Sequence, residues 1–325
     1  MSAPLTLPGE RLHALDAVRA FALLGGIVLH GTLSFFAGLP AQDVSQSQTL
    51  GLLFYVIHVF RMSLFYMVTG FFAALSLQRK GENRFIQDRT RRILVPMLVG
   101  WLILLPLTGL PLLWGLERTY GDNLPVLVTQ ALSSLPLLHL WFLYYLLWFY
   151  AAVLLWYRIV PLLPQAQQRA SAMGQALTTR LWGPVILAMP CAAILLGYTD
   201  WNPWFGVPTP ERGLRLELSA TVIYGLAFFT GVLAFNQRQV FSTWQHGHRI
   251  YLLLAIMLTI MCLALAGINA ELFNPRYFSG TPWLKSCYAF LYRAALWYWC
   301  FGITGWALVT FKHTNARIRY LADAS

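Results

Sequence analysis

The chain has 325 residues, of which 58% are hydrophobic and only 11% charged, and its mean hydropathy is +0.58. Soluble domains carry about 25% charged residues, so this composition excludes a water-soluble fold and makes lipid the main solvent of the chain. The net charge of +11 does not indicate a nucleic-acid partner, because the basic residues lie between apolar runs and form no soluble basic face.

A run of about 20 apolar residues is long enough to cross a bilayer as a helix. Such runs fall near 14–37, 51–77, 93–114, 139–158, 183–199, 216–235, 250–268 and 286–311. The expected fold is therefore an all-α, polytopic transmembrane helix bundle of about eight spans, forming one domain over 1–325. The stretch 124–138 is apolar but short and Pro-bounded, which suits an interfacial or re-entrant segment better than a further crossing. Gln165–Gln175 reads as a polar loop. Thirteen Trp and fifteen Tyr suit span ends at headgroup level, where amphipathic rings reside. Cys191, Cys262, Cys287 and Cys300 lie in or beside the apolar runs without metal-ligand spacing, so free thiols and no metal site are expected.

Orientation follows from the basic residues, since loops rich in Lys and Arg stay cytoplasmic. With the N-terminus inside, sixteen of the 23 Lys and Arg fall in inner segments and five in outer loops, while Arg61 and Arg293 lie within spans. The bias sets a cytoplasmic N-terminus.

Ionisable side chains inside a membrane are costly and usually face a cavity or a partner. The first span carries Asp16, Arg19 and His30. Eleven residues at about 100° each bring Arg19 and His30 to within roughly 20° of one another, about 16 Å apart along the axis. Asp16, one turn before Arg19, is placed to fix its guanidinium. The second span adds His58 and Arg61, three apart on one face. The connection after it, LQRKGENRFIQDRTRRILVP, ends in Arg89, Arg91 and Arg92. Clustered guanidiniums chelate phosphate oxygens in a fork, although a basic loop beside a membrane is also what topology and lipid headgroups require. An anion site at one end of a polar column and an imidazole at the other suits a long anionic donor. Histidine is fit for general-base work there.

Four segments resemble the acyltransferase-three family of membrane O-acyltransferases. They are LDAVRAFALLGGIVLH (15–30), whose Arg19 and His30 match the family's Arg, ten residues, His signature; FRMSLFYMVTGFFAAL (60–75); RFIQDRTRRILVPML (84–98), with Arg-x-x-Arg at Arg89 and Arg92; and HLWFLYYLL (139–147). Within the family the likeness is greatest to the branch that succinylates osmoregulated periplasmic glucans. The resemblance implies ten helices and a bacterial inner-membrane location. It also implies acyl-CoA, acetyl or succinyl, as co-substrate without a bound cofactor, and a carbohydrate acceptor on the periplasmic side. It makes Arg19 and His30 catalytic, and Arg89, Arg91 and Arg92 become the acyl-CoA-binding set. The family continues past a sequence like RYLADAS with two more helices, so the chain ending at Ser325 reads as truncated at its C-terminus.

Two chemistries stay open, His30 as a base toward a sugar hydroxyl or His30 as a nucleophile that is itself acylated. Arg61 with His58 would stabilise the oxyanion or bind a succinyl carboxylate. His139, beside Trp141, either lines the acceptor entrance or anchors at the interface. The rival class is a secondary transporter of a small anion or sugar, since intramembrane Arg and His also mark substrate paths. Paired halves with matching broken helices would favour it, and 1–160 and 161–325 show no such pairing.

Overall fold

The computed structural model describes residues 9–35, 46–120, 137–198, 201–208, 213–268, 278 and 281–311, and among them regular structure is helical throughout. The helices are α1 (Gly9–Thr32), α2 (Gln48–Lys80), α3 (Glu82–Arg89), α4 (Val95–Tyr120), α5 (Trp141–Ile159), α6 (Pro164–Thr179), α7 (Gly183–Leu196), α8 (Leu218–Asn236), α9 (Gln239–Ala266) and α10 (Pro282–Thr310). A single π-helical turn, Thr90–Leu94, joins α3 to α4. The expected segment 124–138 lies almost wholly, and the stretch RIRYLADAS entirely, outside the described residues.

Among the described residues six helices are long and apolar enough to cross a membrane: His13–Thr32, Gln48–Lys80, Glu82–Leu110, Leu138–Leu162, Leu218–Asn236 and Gln239–Ala266. A seventh crossing is counted if α6 and α7, bent by 106°, are taken together. The all-α bundle stands, and two of the expected spans differ in kind. The run 183–199 forms only the 14 residues of α7, about 21 Å of helix at 1.5 Å per residue, which is short of a hydrocarbon core of about 30 Å. The run 286–311 forms α10, whose 29 residues have the length for a span but not the hydropathy. Lys285, Arg293 and many Trp and Tyr dilute its apolar character, and more than half of the helix is buried in protein.

Two connections expected as loops are helices. Gln165–Gln175 lies in α6, opened by Pro164 in the first turn, where its missing N–H is no loss. The basic stretch after α2 breaks only at Gly81, whose φ of 76° is open to glycine at little cost, and helix resumes at Glu82. Exposed Leu98, Val99, Leu102, Ile103, Leu107 and Leu110 on α4, and Leu253, Ile256, Met257, Ile260 and Met261 on α9, present apolar faces. Lipid is the solvent that such faces require.

The chain forms two compact units. Unit 1 comprises 1–72, 163–208 and 222–325, and unit 2 comprises 73–162 and 209–221. In unit 1 helices meet at backbone distance through glycine, as expected where lipid gives apolar side chains no drive to associate and close packing must do so. A Cβ at Gly70 of α2 would collide with the Phe228 carbonyl of α8, and one at Gly231 of α8 with the Met67 carbonyl of α2. Gly305 of α10 makes the same close approach to the Trp244 carbonyl of α9. Trp244 stacks on Phe301 at 4.5 Å and donates its indole N–H to Thr178 O at 2.8 Å. Within unit 2, Arg158 pairs with Glu82 and Lys80 with Asp88. Gly70→Val is expected to lower stability by about 1–3 kcal/mol, the usual range for overpacking. Thermal unfolding of the detergent-solubilised protein measures this, and a melting temperature equal to the parent's would contradict the α2–α8 contact.

Candidate functional site

The first span positions its polar residues much as its sequence spacing predicts. Asp16 Oδ1 lies 3.6 Å from Arg19 Nη2, one helical turn on, and the Arg19 guanidinium sits 5.2 Å from the centre of the Phe72 ring. Both contacts hold the cation at a fixed place on α1. His30, two residues before the end of α1, is exposed and interacts electrostatically with His58.

His58 and Arg61 of α2 are packed much more tightly. The His58 ring lies 4.9 Å from Phe54 and 6.1 Å from Phe205, bonds to the Phe205 backbone, and leaves Nδ1 buried with no partner. Arg61 runs across α1 at Gly25–Gly26. A Cβ on Gly26 would stand 2.5 Å from Arg61 Nη1, and one on Gly25 3.6 Å from Arg61 Cδ. Glycine in a helix costs about 1 kcal/mol relative to alanine, and here it leaves room for a guanidinium against the helix backbone.

The same cluster includes residues that the sequence reasoning did not assign to the site. Arg293 of α10 is 0% exposed, the one charged side chain fully buried among the described residues. Its charge acts on His58 together with that of Arg61. Its guanidinium lies 4.9 Å from the Tyr292 ring centre. The segment 201–208 packs onto this layer. Its 3-10 turn Pro203–Phe205 is capped by Asn202, which accepts from the Trp204 N–H at 2.9 Å, and Trp201 donates to Gly206 O. Gly206 takes a φ of 64°, and a Cβ there would meet Tyr292 Oη at 2.6 Å and His58 Cδ2 at 3.3 Å. Tyr288 donates to Pro203 O at 3.0 Å and shares a 2.6 Å hydrogen bond with Tyr55. The one signal available beforehand was an arginine inside a span, which on insertion scales costs about 2.5–3.5 kcal/mol at mid-helix.

In unit 2 the expected arginine cluster divides. Arg89 is held in the corner of two rings, 5.0 Å from the centre of Phe85 and 4.9 Å from that of Tyr150, which themselves meet edge to face at 5.5 Å. Arg91 and Arg92 are exposed. The π turn over Thr90–Leu94 widens the helix by about one residue, so Arg92 does not fall on the Arg89 face as a regular i, i+3 spacing would place it. His139 sits in the 3-10 turn Leu138–Leu140 and is exposed, with Trp141 buried behind it.

Chemically, unit 1 offers an imidazole next to fixed positive charges, and unit 2 offers two exposed guanidiniums on a rigid turn. The model of the acyltransferase domain family matches residues 12–325 of this chain. Glucans biosynthesis protein C of Escherichia coli O139:H28 (strain E24377A / ETEC) and that of Escherichia coli strain K12 are each 25% identical to it over 341 residues, covering 98% of this chain and 80% of the relative. No solved structure matches the chain. A family match that begins just before Asp16 and runs to Ser325 takes in every residue of both clusters, so the chain belongs to the acyltransferase-three family and is a multi-pass membrane acyltransferase.

Proposed function

We propose that the protein moves an acetyl or succinyl group from cytoplasmic acyl-CoA to a hydroxyl of an extracytoplasmic carbohydrate, such as an osmoregulated glucan. In this reading it sits in a bacterial inner membrane with its N-terminus in the cytoplasm. One observation carries it: His58 and Arg61, one turn apart on α2, meet the Gly25–Gly26 face of α1, the helix that bears His30, and the segment at Gly206 that packs on Tyr292 beside the buried Arg293. Acyl transfer to a hydroxyl needs a base for the proton and fixed positive charge for the oxyanion of the tetrahedral intermediate, and this layer has both. The acceptor class is supported by the relatives, which are named for glucan biosynthesis.

His30 takes the proton of the acceptor hydroxyl. The hydroxyl oxygen bonds to the thioester carbonyl carbon, the oxyanion forms beside Arg61 and His58, and the C–S bond breaks as the proton passes to the departing CoA thiolate. Arg19, fixed by Asp16, supplies positive charge further along α1. Arg91 and Arg92, with Arg89 anchored against two rings, take the donor's phosphates. His139 lines the acceptor's approach.

Replacing His30 by Ala is expected to reduce acyl transfer by about 10²–10⁴-fold, the usual worth of a positioned acid–base group. The measurement is mass spectrometry of cellular glucans together with label transfer from acyl-CoA in membranes. Full activity of a stably inserted His30→Ala protein would sink the mechanism, and sugar or anion flux without acylation would favour a transporter. The double replacement Arg91→Gln, Arg92→Gln is expected to raise KM for acyl-CoA about tenfold or more while kcat changes little, as for loss of binding shared by ground and transition states. An unchanged KM would remove these two residues from the donor site.

A further inference from the structure

Among its described residues, unit 1 buries more positive charge than their own groups balance. Arg293 is fully buried, and none of its Nε, Nη1 and Nη2 atoms has a hydrogen-bond partner among the described residues. Arg61 Nε, His58 Nδ1, Tyr292 Oη and Trp204 Nε1 are likewise buried without a partner. Neither Arg61 nor Arg293 takes part in an ion pair among the described residues. Four elements converge here. His58 and Arg61 come from α2, Tyr292 and Arg293 from α10, Trp204 from the 3-10 turn, and Gly25–Gly26 of α1 closes the remaining side. The charged and titratable groups facing Arg293 among the described residues are His58, Tyr288, Tyr292, Cys191 and Cys262, and Arg61 and His30 join through His58. No carboxylate of the described residues is among them.

A buried guanidinium needs a counter-charge or hydrogen-bond acceptors, and the unpartnered Arg and Trp nitrogens here only donate, the Tyr292 hydroxyl can donate, and the role of His58 Nδ1 follows its tautomer. What is missing is therefore an acceptor that carries negative charge. The forks of two arginines match a carboxylate, which is planar and compact and accepts about four hydrogen bonds. A phosphate needs more donors and more water than this aromatic-walled layer offers.

From this we propose that Arg293, with Arg61, is a specificity-determining residue that binds a carboxylate brought in by the substrate, the free end of a dicarboxylic acyl group on the donor. This rests on the acyl-CoA reading above and deepens it. Tyr292 Oη and Trp204 Nε1 complete the donor set. Gly206 keeps the 201–208 segment clear of Tyr292 and His58, where any larger residue would intrude.

The test uses the full chain in lipid nanodiscs, with succinate and two thioesters, succinyl-CoA and acetyl-CoA, as probes. Millimolar succinate is expected to raise the melting temperature of the parent by several degrees over chloride at matched ionic strength, and Arg293→Gln to abolish that shift. The parent is expected to bind succinyl-CoA more tightly than acetyl-CoA, and Arg293→Gln to reduce that preference tenfold or more. A succinate shift without any thioester preference would overturn the acyl-chain source and leave a site for free carboxylates. A parent protein that shows neither shift nor preference overturns the proposal without recourse to any variant, as does a folded Arg293→Gln protein that matches the parent in both. The succinate measurement needs no acyl transfer, so failure of this site and failure of the His30 mechanism are separable.

Discussion

A guanidinium inside an apolar helix bundle has to be compensated where it stands, because it can neither lose its proton nor reach water. Arg293 imposes that requirement on the elements around it. The Tyr292 ring gives it a π face, and the tyrosines Tyr55, Tyr288 and Tyr292 surround the layer with hydroxyls in an otherwise apolar core. The chain bends back into the same layer through Asn202–Gly206, whose carbonyls and indole would have little reason to be buried beside purely apolar residues. This position also accounts for the character of α10. Gly302 lies nine residues beyond Arg293, about 180° round the helix after two and a half turns, and packs against Leu252 of α9. A helix with a cation on one face and a backbone-close glycine contact on the other is buried on both sides, so it does not need the hydropathy that lipid-facing helices carry.

Glycine serves these cations in a second place. The pair Gly25–Gly26 weakens α1 as an isolated helix, yet it lets Arg61 lie flat against the backbone. A larger residue would push the guanidinium off α1 and away from the layer it shares with His58. The family-like motif LLGGIVLH thus combines two requirements in one span: room for a cation from the neighbouring helix, and one turn later an imidazole near that cation. Its spacing is set by packing as well as by chemistry.

Much of this was legible in the sequence, and the remainder was lost for identifiable reasons. Period and length located α1, α2, α5, α8 and α9, because a lipid-exposed face leaves a continuous apolar signal. The same signal misjudged the short α7. The Asp16–Arg19 contact followed from one turn of helix and was found. Arg293 was visible as a charge inside a span, but its meaning depends on α2 and on the 3-10 turn, which are distant in sequence and joined to it only by folding. The connection after α2 looked like a loop because it is polar. Glu, Gln, Arg and Lys are nonetheless good helix formers, and a single positive-φ glycine was enough to separate two helices there.

The Arg-x-x-Arg element shows most directly how spacing underdetermines a site. In a regular α-helix Arg89 and Arg92 would point to neighbouring positions on one face and would be interchangeable as anion ligands. The π turn starting at Thr90 alters that geometry within a single turn, and Phe85 and Tyr150 form an edge-to-face corner against Arg89. A cation in a corner of two rings is held by the protein itself, which disposes Arg89 to fix the turn. Arg91 and Arg92 are exposed on that turn, so three arginines close in sequence meet two different surroundings. The aromatic contacts and the basic pair therefore belong to one piece of local structure: the rings hold Arg89 at the entrance to the turn, and the π geometry that follows sets where the exposed guanidiniums leave the helix.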